Sequence, residues 1–255
     1  MGAKEQGHPY PPTGKEVIVG FLLWMLVTTG YAFWFYSTSP SPDPREIPCW
    51  QFSTFEQTGS LLSLVFAAPV LLRQGGNGIA ALGFRPAAPS RFSTWVVIVA
   101  GAQIALLLLA TQASGAVGLS LYAPGSLSTP RALEYMAFPP VFLFVGVLSP
   151  LAAEVVFRGL LLGWLLRHLS FWPAAILQAL LFGGLGFSIV RPDIASLFIG
   201  AALTIFAVLL ALARQRTGSL WTPVTAHMVV GVVTVVLFAA GVFVPMPPPA
   251  EVCSP

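Results

Sequence analysis

The 255-residue chain is 56% hydrophobic and only 8% charged, with a mean hydropathy of +0.83. Water-soluble domains need surfaces with roughly 25–35% charged residues, so this composition excludes a soluble globular protein and points to the membrane. The net charge of +3 comes from scattered basic residues, and without a basic patch or stripe nucleic acid is excluded as a partner.

In chain order, residues 1–16 are polar, carry Pro, Gly, Lys4 and Lys15, and read as a tail on the cytoplasmic side. Val17 to Tyr36 is an uncharged run of 20 residues, the length needed to cross about 30 Å of hydrocarbon. With no small-residue cleavage site after it, it reads as a retained helix rather than a signal peptide. A Pro-rich loop from Ser37 to Glu56 holds Cys49. Gln57 to Leu72 is a shorter expected crossing, Ser93 to Gln112 the next, and a loose Gly/Ser/Pro segment runs on to Glu134. Residues 17–134 thus form an N-terminal set of membrane helices and loops.

Residues 135–244 form the expected core. Tyr135 to Arg167 is too long for one simple crossing, and Pro139, Pro140 and Pro150 predict a kinked or broken helix, tolerated where neighbours satisfy the freed backbone groups. Phe171–Val190, Ile194–Ala213 and Ser219–Val244 complete about seven spans, before a Pro-rich tail, residues 245–255, that cannot continue a helix. The expectation is an all-α, polytopic transmembrane bundle. Lys4, Lys15, Arg73, Arg85, Arg91, Arg167, Arg214 and Arg216 fall on one side, and Arg45, Arg131 and Arg191 on the other. This asymmetry predicts an N-terminus inside and a C-terminus outside. Trp95, Trp164, Trp172 and Trp221 then lie at inner helix ends as an aromatic belt. The same topology puts Cys49 and Cys253 on the outer face, where either a disulfide or two unrelated thiols is open.

Chemistry concentrates in Ser149–Arg167, apolar on every side yet holding Glu154 and Arg158. A charge at the centre of a bilayer helix costs about 2.5–3.5 kcal/mol on insertion scales, so two must be offset by partners or by function. Four residues is about one helical turn, and Glu before Arg is the favourable order for a pair. A structural ion pair and a polar catalytic centre both satisfy that pattern. Neither a P-loop, a dinucleotide fingerprint nor a Cys/His metal spacing is present, so no metal and no cofactor is expected.

Ala153-Glu154-Val155-Val156-Phe157-Arg158-Gly159, Phe182-Gly183-Gly184-Leu185-Gly186 and Thr217 to His227, with Leu197 to Ala201 between them, resemble the CPBP family of intramembrane proteases. That family comprises type II CAAX prenyl endopeptidases and bacteriocin-processing or immunity proteins. The resemblance covers Tyr135 to Val235, and weakly Leu82–Pro86. It implies EExxxR, FxxxH and HxxxN/D motifs on separate helices, with the leading glutamate and two histidines activating a water and the Asn/Asp stabilising an oxyanion. Here the leading glutamate falls on Ala153, the FxxxH histidine on Gly186 and the Asn/Asp on Gly231, while Glu154, Arg158, Phe182 and His227 remain. Successive helical residues point about 100° apart, so Glu154 is expected to face Arg158 rather than a water held by His227. The glycines, Gly183, Gly184, Gly186 and Gly231, fit close helix packing.

The resulting expectation is a CPBP-like pseudoprotease in the bacterial inner membrane. It would act as a scaffold or accessory subunit that meets membrane lipids and binds another membrane protein or a lipidated peptide. Two rivals stand beside it: a divergent endopeptidase using Glu154 and His227, and a lipid or small-molecule transporter. The transporter lacks the expected inverted repeats.

Overall fold

The computed structural model describes residues 12–38, 58–59, 61–116, 143–184 and 194–239. Every regular element among them is helical. Helix α1 spans Gly14–Thr38, starting three residues before the uncharged run. The start is set by a capping box. Thr13 Oγ1 accepts from the Glu16 amide at 3.3 Å, and Glu16 Oε2 accepts from the Thr13 amide at 2.6 Å.

The expected crossing at 57–72 is corrected by the structure, because the chain there folds in short pieces. A 3-10 turn at Ser63–Ala67 leads into α2, Ala68–Gln74, then a second 3-10 turn at Gly75–Asn77 and α3, Gly78–Leu82. The Gly75-Gly76 pair lets the chain turn, and helix α3 ends at Gly83 with φ 101°, a left-handed position that suits glycine. The following Leu-Gly-Phe-Arg-Pro loop docks on the start of the last helix. The Leu220 amide donates to the Gly83 carbonyl at 2.8 Å, and Ser219 donates its hydroxyl to the Arg85 carbonyl. Phe84 meets Trp221 edge to face.

Helix α4 is Pro89–Ala116. After it comes a continuous helical stretch of changing register: a π segment at Phe144–Leu148, α5 at Ser149–Glu154, a second π segment at Val155–Leu161, and α6 at Leu162–Leu165. The break expected near Pro150 is a change of helical register instead. Proline cannot donate to the carbonyl four residues back, and the wider π turn directly before it accommodates the lost bond. Pro139 and Pro140 lie outside the described residues. Helices α7, Phe171–Gly184, α8, Ile194–Thr217, and α9, Trp221–Ala239, complete the described fold.

Among the described residues three helices are long and apolar enough to cross a membrane, over Gly14–Phe35, Pro89–Leu109 and Gly146–Leu165, and Phe171–Gly184 and Trp221–Leu237 are shorter apolar helices. The protein is an integral membrane protein of helical type. Burial decides which span is central. Within these windows 56% of residues are buried at Gly146–Leu165, against 12% for the first span and 17% for the second. The central stretch packs on one side with Val17, Phe66, Val70, Leu82, Leu220 and Val224, joining α1, the short helices and α9. On the other side lie Val99, Phe182, Phe206, Leu210, Ala226 and Val230 from α4, α7, α8 and α9. Gly183 sets the α7–α8 approach, since a Cβ there would lie 2.6 Å from the Gly200 carbonyl oxygen and overlap Thr204 Oγ1.

Candidate functional site

Glu154 ends α5 and Arg158 lies one turn later in the π segment, both fully buried. The pair expected from their spacing forms, with Arg158 donating from one terminal nitrogen to Glu154 Oε1 at 2.9 Å. The other terminal nitrogen donates to the Ala207 carbonyl of α8 at 3.2 Å. The guanidinium carbon also stands 4.6 Å from the centre of the Phe182 ring, an arrangement in which the ring quadrupole attracts the cation.

His227, from the second turn of α9, reaches the same carboxylate oxygen, with Nδ1 2.8 Å from Glu154 Oε1. Facing a carboxylate requires Nδ1 to carry its proton, as geometry alone assigns it. Glu154 thus faces Arg158 as expected, and His227 joins the same oxygen directly, a contact the expectation did not include. One carboxylate oxygen has two lone pairs, so a neighbour on the same helix and a second from another helix bind it together. The 100° step constrains residues of one helix and says nothing about what α9 brings in. Phe206 and Phe182 hold the imidazole edge to face, at centroid distances of 5.0 and 6.1 Å, and Phe157 packs against Phe182 at 5.1 Å.

Two members of the network escaped the sequence reading. Gln178 of α7 is fully buried and donates to the Ala207 carbonyl at 3.2 Å, so one backbone oxygen receives both Gln178 and Arg158. Its signal was present, since it is the single amide in the apolar helix Phe171–Gly184. Phe206 carried no signal, because an aromatic in a membrane helix is ordinary. Glu154 Oε2, Arg158 Nε and Gln178 Oε1 are buried with no hydrogen-bond partner.

The described motif positions that remain, Ala153 and Gly231, add no polar side chain. Ala153 is half-buried and packs against the Phe182–Phe206 cluster. Gly231 is half-buried one turn beyond His227. Gly186, Cys49 and Cys253 lie outside the described residues. Of the glycines expected to pack closely, Gly183 does, whereas a Cβ on Gly184 would touch nothing. Among the described residues no group of three or more His, Cys, Asp or Glu is arranged to hold a metal ion.

Residues 135–243 match the family described as Type II CAAX prenyl endopeptidase Rce1-like. A relative named "Putative membrane peptidase YdiL", from Bacillus subtilis strain 168, is 27% identical over 114 residues, which are 44% of this chain and 43% of that protein. The chain thus spans less than half the length of the curated relative it matches. No solved structure matches the chain.

Proposed function

We propose that this chain, a member of the Rce1-like type II CAAX prenyl endopeptidase (CPBP) family through residues 135–243, is a pseudoprotease of that family. It would serve as a scaffold or accessory subunit for another membrane protein or a lipidated peptide. One observation carries the reading. The surviving carboxylate spends the same oxygen on Arg158 and on His227, and His227 is the one remaining histidine that the family resemblance implies for activating a water. A general base must reach the proton it abstracts, and a developing oxyanion needs donors aimed at it. Ala153 and Gly231 supply neither, and their neighbours are engaged with one another. The finer picture proposed with it is about seven spans in the bacterial inner membrane with the N-terminus inside. Its support is that basic residues of distant segments meet at one end: Arg73 pairs with Glu16, Arg167 binds the Pro12 carbonyl, and Arg85 receives Ser219.

A second reading has a specific observation in its favour. Glu154 Oε2 is buried and unpartnered beside a partly exposed imidazole, where a water would complete a two-residue hydrolytic site. The discriminating experiment is cleavage of a prenylated CAAX-type peptide by the purified protein in lipid nanodiscs. The pseudoprotease predicts no turnover above that of Glu154→Gln. Turnover by the natural chain that disappears in Glu154→Gln establishes the divergent enzyme instead. A variant carrying Ala153→Glu, Gly186→His and Gly231→Asn serves as the gain-of-function comparison. Co-purification in mild detergent tests the subunit role through a stoichiometric partner.

A further inference from the structure

A second buried polar corner lies away from Glu154, where α1 begins and α6 and α8 end. Arg214, in the last turn of α8, is 7% exposed, and one of its terminal nitrogens is buried without an acceptor. Trp164 Nε1, a donor only, is likewise buried without one. Both groups lie under the same strap of chain. A Cβ on Gly163 would stand 3.4 Å from Pro12 Cδ and 3.7 Å from Nη2, the other terminal nitrogen of Arg214. A Cβ on Gly14 would stand 3.2 Å from Trp164 Nε1. Arg167, four residues beyond Gly163, closes the far side by donating to the Pro12 carbonyl at 3.0 Å.

The acids within reach are already engaged. Glu16 binds Thr13 and Arg73, and Glu154 binds Arg158 and His227. At Arg214 the attraction of the Glu154 carboxylate is opposed by Arg158 and Arg85, both cationic. Buried charges are ordinarily paired, and an uncompensated guanidinium is costly. The helix C-terminus offsets part of that cost, because its partial negative charge favours a cation in the last turn. Here two buried donors and an exposed arginine lie against the same Pro12–Gly14 strap, and among the described residues no unengaged acid accompanies them.

We propose that this corner is a phosphate site, built by Arg214, Trp164 and Arg167 under the Pro12–Gly14 strap, that takes the phosphodiester of an anionic lipid headgroup. A guanidinium binds phosphate oxygens in fork geometry, and an indole N–H adds a directed donor. Basic pockets between membrane helices bind such headgroups. The lipid source is favoured because the corner lies at the ends of α1, α6 and α8, beside exposed Leu166, Leu169 and Trp172. Entry requires Pro12 to move aside, which costs the single hydrogen bond to Arg167.

The test is native mass spectrometry of the full-length, delipidated protein with phosphatidylglycerol, with phosphatidylcholine, and with inorganic phosphate alone. The expected result is one retained phosphatidylglycerol, preferred over phosphatidylcholine by at least about tenfold. That preference should fall to near parity in Arg214→Gln and in Arg167→Gln, and persist in Arg91→Gln, whose side chain lies outside the corner. Arg167 is exposed, so Arg167→Gln reads the site even if Arg214→Gln fails to fold. Equal retention of phosphatidylglycerol by the natural chain and Arg167→Gln overturns the proposal. Specific retention of inorganic phosphate, lost in the same variants, with no lipid preference, keeps the phosphate site but overturns the lipid as its source.

Discussion

Gln178 and Arg158 share the carbonyl of Ala207, so Gln178 holds the acceptor that anchors the cation on which the carboxylate depends. Replacing it with leucine keeps the volume while removing the amide group that donates to the Ala207 and Ala175 carbonyls and one unpartnered oxygen. A net hydrogen bond contributes about 0.5–1.5 kcal/mol, and the expected loss for Gln178→Leu is about 1 kcal/mol or less. Thermal unfolding in detergent checks this, and a loss above about 3 kcal/mol would show that Gln178 supports far more than these bonds. The acid–guanidinium pair was legible at this scale from two charges one turn apart in an apolar helix. The imidazole's share in it was not. Residue spacing specifies what one helix presents, whereas the partner from α9 is chosen by packing across more than 70 residues of sequence.

At the scale of the helices, α7 and α8 approach closely at Gly183, where a side chain would strike Thr204 and the Gly200 carbonyl. Backbone on the far side cannot retreat cheaply, so Gly183→Ala should destabilise the protein by about 1–3 kcal/mol, the usual range for overpacking. Gly184→Ala, whose new methyl would meet nothing, should leave stability within about 0.5 kcal/mol. Denaturation of the two variants side by side separates close packing from a general intolerance of the helix. The sequence signalled long apolar helices well, as α1, α4 and α8 show. It signalled the 57–72 segment poorly, because apolarity alone does not reveal the change from a 3-10 turn to an α-helix at Pro69 or the Gly75-Gly76 turn that stops the helix soon after. The π register of Val155–Leu161 was hidden for a similar reason, since π turns answer to tertiary packing rather than to a residue signature.

At the level of the whole molecule, the chain gathers charge at two depths: the Glu154 network within the bundle, and the arginines where α1, α6 and α8 meet. Orientation can be read directly in a background with Cys49 and Cys253 replaced by serine. Single cysteines at Arg73, Arg91 and Arg216 should all be labelled by a membrane-impermeant reagent from the cytoplasmic side alone. Labelling of any one from the opposite side would break the proposed topology. The motif residues pointed to the family that residues 135–243 match before any coordinates, because the order of the blocks is kept even where Ala153, Gly186 and Gly231 stand at its acidic, imidazole and amide positions. What the site does was less legible, since deleted groups record what is missing and not what has replaced it.

The most direct trial is the thermal stability of Glu154→Ala against the natural chain in the same detergent. A carboxylate retained for structure leaves Arg158 buried and unpaired when removed, a loss of about 3–5 kcal/mol, and the melting point should fall accordingly. Catalytic groups tend instead to be held at the expense of stability. An unchanged or raised melting point in Glu154→Ala would contradict the view that this acid, guanidinium and imidazole persist to hold the bundle together.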